Sequence, residues 1–308
     1  MSGLIQIYNN PLSTKSILFV HHFSGFGGAT LSLFSIIERL DPEKFTASVL
    51  FLGGGGEGVT FFEENGIKVF LIDGVSTYAH SEGARLKFIS RNPFRPITAF
   101  FKIYPSIAKV YKFLKGSDFD IVHLNTSLLI PVGIAAKKAH KKVVWHIREP
   151  LIKGFFGLRR YFIRNCIKKN SDRIIAISKH NADRLGKTDK LKVIYNYVDF
   201  NKFDKTINGS NIREDLSITN DCKLVVNLGG TVHSKGADIF IRAARKVLQS
   251  NQQVKFLIVG YPPQEPNKRT IIGVLKIIAD KIGLKKDISL RCGRLIRRNQ
   301  LQDKVKFI

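Results

Sequence analysis

The feature that most restricts what this chain can fold into is an alternation, started twice along its length, of short apolar β-rich runs with helix-length amphipathic ones. SILFVHHF (16–23) is followed by ATLSLFSIIERL (29–40) and TASVLFL (46–52) by VTFFEENG (59–66), with KVFLI (68–72) next. Runs of this length rich in β-branched and aromatic residues read as strands, and strands separated by helices need crossovers that leave them parallel. The rhythm continues through DIVHLN (120–125), a helix from about Pro131 to His140, VVWHI (143–147), RIIAIS (173–178) and KVIYN (192–196). DFNKFDKTINGSN (199–211) then has the Asn, Asp and Lys content of a linker. Beyond it the alternation restarts with KLVVNLGG (223–230), GADIFIRAARKVLQ (236–249), VKFLIVG (254–260), TIIGVLKIIADKIG (270–283) and KVKFI (304–308). The expected fold is α/β, two Rossmann-like doubly wound domains over 1–200 and 201–308. The second is incomplete, with about three good strands where five or six are usual.

Charge and cysteine usage narrow the partners. Fifty Lys plus Arg against 24 Asp plus Glu give a formal charge of +26, which favours an anionic partner: phosphate, nucleic acid or an acidic bilayer. Cys166, Cys222 and Cys292 are odd in number and widely spaced, which argues against a disulfide framework and against a zinc site. A reducing cytosol fits them. The N-terminus MSGLIQIYNNPLSTK has no basic and then apolar leader, and no run approaches the roughly 20 apolar residues of a membrane span. The expected location is cytoplasmic, with attachment at the inner face of the cell membrane. No helix-turn-helix, RNP-like aromatic pattern or zinc finger accompanies the charge, so no nucleic-acid partner is expected.

Three segments carry candidate chemistry. SGFGGAT (24–30) lies between a strand and a helix, where Gly27 and Gly28 would let a ligand approach a bare helix N-terminus. It fails as a dinucleotide fingerprint, because Thr30 stands at the third glycine position, and a turn serving chain geometry alone is the competing reading. GTVHSKG (230–236) follows the first strand of the second domain, and Lys235 at the mouth of such a turn can pair with a diphosphate. A solvated turn would look the same. VVWHIREP (143–150) puts His146, Arg148 and Glu149 at a strand's carboxyl end, the side on which open α/β sheets bind ligands. His146 can hydrogen-bond a sugar hydroxyl or take a proton and Arg148 can contact phosphate, whereas a structural histidine beside a local ion pair is the plainer alternative. Asp118-Phe119-Asp120 is formally a DxD but runs straight into IVHLN, and reads as strand entry rather than a metal site.

Taken in order, GFGGA, FDIVHLN, VVWHIRE, RIIAISKHNADRL, KVIYNYVDFNKF, GG-x-VHSKGADIFIRAA, FLIVG and VKFI resemble the group 1 glycosyltransferases, retaining enzymes of the GT-B class. The resemblance implies a nucleotide-sugar substrate bound between an N-terminal acceptor-side domain and a C-terminal nucleotide-sugar domain. It implies Lys235 on the diphosphate, with Gly27, Gly28, Gly230, Thr231 and Gly236 binding the donor and His146 beside the transferred sugar as the catalytic residue. Arg148 and Glu149 become phosphate or acceptor contacts. It further implies retention of configuration, no metal, no cofactor, and a lipid-linked or glycan acceptor in cell-surface polysaccharide synthesis. Two departures stand out: Gly230 occupies a place where the family often has arginine, and the family's Glu-x7-Glu segment lies past the strand VKFI, at which this sequence stops. The chain is therefore expected to be a C-terminally truncated relative, with a catalytically impaired membrane- or partner-binding module as the competing function.

Residues 85–115 and 151–169 interleave Lys and Arg with Phe, Tyr and Ile and contain no Asp or Glu. From Ile97 onward Phe100, Phe101, Tyr104, Ile107, Ala108, Tyr111 and Leu114 fall at helical spacing. Such stretches suit an anionic membrane surface, and equally an apolar stripe packed on a sheet with a wet charged back.

Overall fold

The apolar runs of the first half pair as one parallel sheet. In the computed structural model, which describes residues 14–77, 95–153, 155–207, 210–232, 235–263, 270 and 287–308, the strands are β1 (Lys15–His21), β2 (Phe45–Phe51), β3 (Lys68–Leu71), β4 (Ile121–Leu124), β5 (Lys142–Ile147), β6 (Arg173–Ala176) and β7 (Leu191–Val193). Their spatial order is β3-β2-β1-β4-β5-β6-β7, every neighbour parallel. The order reverses between β1 and β4, so this sheet has its topological switch point there, the place at whose carboxyl ends open α/β sheets bind ligands. The chain divides into two compact units, Met1–Asp199 and Phe200–Ile308.

Period-two alternation splits the first unit's core into two layers. Leu18, Val20, Leu124, Trp145 and Ile147 face one side and pack with Val110 and Leu114 of α3 (Arg95–Lys115) and Ile163 and Ile167 of α5 (Leu158–Lys169). Ile17, Phe19, Val49 and Phe51 face the other, against Leu33 and Ile37 of α1 (Gly28–Ile37) and Val59 and Phe62 of α2 (Glu57–Glu64). Trp145 fixes one glycine outright: a Cβ on Gly133, in α4 (Ile130–Lys138), would lie 2.4 Å from its ring. The expected strand at 192–196 ends at Val193, and Ile194, Tyr195 and Tyr197 beyond it are exposed.

In the second unit β8 (Lys223–Leu228), β9 (Val254–Val259) and β10 (Val305–Phe307) form a parallel sheet in the order β10-β9-β8. After α6 (Lys179–Leu185) and α7 (Ser210–Asp215), α8 (Ala237–Ser250) buries Ala237, Ile241, Ala244 and Leu248 on this sheet, and α9 (Ile288–Arg298) buries Cys292 and Ile296. Asp238 ties these two helices together, accepting Arg242 at 2.9 Å and Arg291 at 3.3 Å. The expected helix over 270–283 lies outside the described residues from 271 onward, as does 85–94 of the basic middle.

The second half of the stripe in α3 follows the packing reading: Leu114 is buried and Ile107 and Tyr111 lie against the first core layer, while Tyr104 and Ala108 stay exposed. Among the described residues no helix is long and apolar enough to cross a membrane.

Candidate functional site

At the carboxyl ends of β1, β4 and β5 the alternation that carries Ile17 and Phe19 into the α1–α2 layer goes on, but with polar residues. His21, His123, Asn125, His146 and Arg148 occupy this rim, and all but Arg148 are buried. His123 packs on Phe19 with ring centroids 4.8 Å apart, and its Nε2 lies 3.3 Å from Nδ1 of His146. Burial first, and the nearby Arg148 charge second, push His146 down to about 2 and His123 down to about 3. Both rings are therefore neutral at pH 7 and share one proton across that contact. His146 is poised to exchange a hydrogen bond with a hydroxyl, not to act as a strong base.

The rest of the rim has only one consistent proton arrangement. Arginine can only donate, so Nε of Arg148, 2.6 Å from Oδ1 of Asn125, fixes the orientation of that amide. Asn125 Nδ2 must then donate to Nδ1 of His21 at 3.1 Å. His21 is held at about 3 by burial first, then by the charges of His22 and Arg148, so it is neutral and its single proton sits on Nε2. That N–H is buried without a partner among the described residues, as are His146 Nε2 and Arg148 Nη2. Arg148 itself is clamped by Ser32 Oγ at 2.7 Å and Asn196 Oδ1 at 3.3 Å, and burial lowers it only to about 10, so it remains a cation. Buried polar atoms are paired in most proteins, and three unmet ones on one rim mark a place built for a polar ligand.

Glu149 is held by the loop that follows β4. Its Oε1 accepts Ser127 N at 3.0 Å, Ser127 Oγ at 2.5 Å and the Thr126 hydroxyl, so it braces the loop between β4 and α4. Gly27 and Gly28 precede the rim's helix: Gly27 is extended (φ 171°), and a Cβ on either would meet nothing within 4 Å. Neither dihedral nor packing demands glycine there, and its effect is to leave the amino end of α1 bare. Gly56 and Gly58, in contrast, are required by packing, since a Cβ on either would lie 2.7 Å from the carbonyl of Ser24 or Gly25.

In the second unit the turn after β8 is built on glycine. Gly230 takes φ 56°, and a Cβ there would lie 2.5 Å from Tyr261 N and 2.9 Å from the Gly260 carbonyl carbon. Packing thus explains why no arginine stands at this position. Thr231 fastens the same two loops, its N–H donating to Tyr261 O at 3.0 Å and its hydroxyl at 3.1 Å. The Lys235 stem lies over Gly229, whose Cβ would fall 2.5 Å from Lys235 Cγ, and the residue is exposed. Gly236, left-handed at φ 68°, caps α8 without a side chain, so the helix N-terminus and Lys235 lie at one turn.

Residues 26–202 match the family described as Glycosyltransferase Family 4. The chain belongs to that family. The Escherichia coli UDP-Gal:alpha-D-GlcNAc-diphosphoundecaprenol alpha-1,3-galactosyltransferase is 27% identical over 173 residues, a match that covers 50% of this chain and 44% of that protein, less than half of its length. Two solved structures share the fold: Anabaena HepE in complex with UDP and glucose (22% identity, TM-score 0.66, 95% of this chain and 68% of that one) and a glycosyltransferase from Rickettsia africae (16%, 0.57, 96% and 68%). The two parallel-sheet units of this family 4 glycosyltransferase are therefore Rossmann-like units of GT-B type.

Sequence reasoning reached His146 and Arg148 but passed over His21, His123 and Asn125. The signal was present: His123-x-Asn125 and His146-x-Arg148 repeat a polar pair two residues apart at the ends of two strands, beside His21 at the end of a third. Only the pairing of β4 with both β1 and β5 makes these one group.

Proposed function

We propose that this family 4 glycosyltransferase moves a sugar from a nucleotide-sugar donor to a lipid-linked or polysaccharide acceptor, with retention and without a metal, in cell-surface polysaccharide synthesis. The observation that carries the reading is the rim of the first unit, where the His21 Nε2–H, His146 Nε2 and Arg148 Nη2 are buried and unpaired among the described residues. These groups suit sugar hydroxyls and a phosphate oxygen. In the second unit Lys235 and the amino end of α8 suit a diphosphate, and in the first unit the amino end of α1 at Gly27 and Gly28 stands open to a ligand. Catalysis then comes from placing the sugar and stabilising the departing phosphate, with His146 as a hydrogen-bonding partner of the transferred sugar. The diphosphoundecaprenol acceptor in the name of the Escherichia coli relative supports a lipid-linked acceptor, and with it work at the cytoplasmic face of a membrane.

The test is transfer from a panel of radiolabelled nucleotide sugars to polyprenyl-diphosphate-linked sugars by the 308-residue chain. Transfer by the wild type, with a loss of about a hundredfold or more in the His146→Ala variant, is the expected result. If calorimetry detects no binding of any nucleotide sugar, the reading fails.

A further inference from the structure

The helix α5 and the turn leading into it carry a surface that the sugar-transfer site does not use. Ile163 and Ile167 bury one face of α5 in the core. At i, i+3 and i+4 on another face, Leu158, Tyr161 and Phe162 are 71%, 65% and 50% exposed. Just before them Phe156 is fully exposed and held at φ 53°, ψ 17°. A left-handed aromatic residue is strained, and at Phe156 that strain coincides with an apolar ring in solvent.

A second observation points the same way. Along the adjacent stripe of α5, Arg160 has Nε and Nη2 buried without a hydrogen-bond partner among the described residues. Arg164 and Arg184 are close enough that, after burial, their charges depress the Arg160 guanidinium further. The Arg164 guanidinium lies against Gly186, where a Cβ would fall 2.4 Å from its Nη2. Among the described residues, none of these three arginines pairs with a carboxylate. Like charges held together unpaired fit a multivalent anion, and planar guanidinium groups match phosphate oxygens.

We infer that Phe156, Leu158, Tyr161 and Phe162, with Arg160, Arg164 and Arg184, form the face by which this chain docks on an anionic phospholipid surface. The rings enter the boundary between headgroup and acyl chain while the guanidinium groups hold lipid phosphates. A DNA duplex would satisfy the arginines but leave Phe156 and Leu158 against water, so of these two the bilayer is the occupant that satisfies both sets. The inference deepens the membrane part of the proposed function and rests on it. Of the two basic stretches it singles out the one that forms α5, since the Leu114 side of the long helix α3 is committed to the core.

The test is co-sedimentation of the full chain with vesicles in the absence of nucleotide sugar, so that failed docking leaves sugar transfer untouched and failed transfer leaves docking untouched. Binding to phosphatidylcholine vesicles containing phosphatidylglycerol, and little binding to phosphatidylcholine alone, is expected. The triple variant R160Q/R164Q/R184Q should bind the anionic vesicles roughly a hundredfold more weakly, and Phe156→Ser with Phe162→Ser should lose binding comparably. Because removing three arginines can also disturb folding, the Phe156→Trp variant supplies a second readout at a fully exposed position: the fluorescence of the introduced indole should be quenched by brominated lipid. The inference is overturned if the arginine and serine variants bind anionic vesicles like the wild type, if brominated lipid leaves the fluorescence of the Phe156→Trp variant unquenched, or if a DNA duplex is bound in place of the vesicles. It is overturned too if inorganic phosphate alone displaces the protein from them, which would mark a soluble-phosphate site.

Discussion

The two units place candidate ligand groups at the carboxyl ends of their strands in opposite ways. In the first unit the groups are buried and neutral except for Arg148, and a relay runs from Arg148 through Asn125 to His21. In the second they are exposed and stand on a turn whose backbone is locked by packing, Gly230 against Gly260 and Tyr261. The first arrangement fixes proton positions, and with them the hydroxyls it can recognise. The second leaves an exposed point charge beside a glycine turn held by packing, which suits a diphosphate that needs charge more than shape.

The sharpest break in that contrast is Gly230→Ala. The added methyl would meet backbone atoms that cannot swing aside, at a φ that alanine resists. A loss of about 3 kcal/mol or more is expected, confined to the second unit. Denaturant unfolding followed by hydrogen exchange should show β8 and β9 losing protection while β1, β4 and β5 keep theirs. A variant as stable as the wild type would mean that the turn is not rigid.

Acidification tests the other half. His21, His123 and His146 are depressed in the folded chain to about 3, about 3 and about 2, whereas an unfolded histidine titrates near 6.5. As pH falls below about 6.5 the unfolded chain takes up protons that the folded rim refuses, so the stability of the first unit is full above that pH and is lost progressively toward 3. Each imidazole adds a slope approaching about 1.4 kcal/mol per pH unit in this window. The second unit contains only His233, so its unfolding should depend far less on pH over the same range. Equal slopes for the two units would show that the rim is solvated.

The sequence made the parallel sheets legible because alternation of strand and helix is a long, repeated signal. Lys235 and the glycine turns were visible for a related reason, since they are contiguous. The rim was half hidden. His146 and Arg148 stood out beside a proline at a strand end, but His21 and Asn125 join them only through pairing between strands whose order is set by packing. Glu149 shows the reverse: its place in VVWHIREP suggested a ligand contact, and only the loop it braces, through Thr126 and Ser127, gives it a structural task. The amphipathic stripe of α3 left two readings open because its period is the same whether a core or a lipid surface receives it.

The mildest perturbation is Lys235→Ala, and it isolates charge from scaffold. The side chain is exposed and rests its methylenes on Gly229, so its removal should change stability by less than about 0.5 kcal/mol. A charged hydrogen bond to a phosphate is stronger, and affinity for nucleotide sugars measured by calorimetry should fall roughly ten- to hundredfold. Lys235→Arg keeps the charge on a fork of different reach, and should recover part of that loss. Unchanged affinity in the alanine variant would remove the diphosphate from this turn, and a marked loss of stability would make Lys235 part of the packing. Either result would throw ligand recognition back onto the unpaired buried groups of the first unit's rim, and would undo the division of labour between the two units.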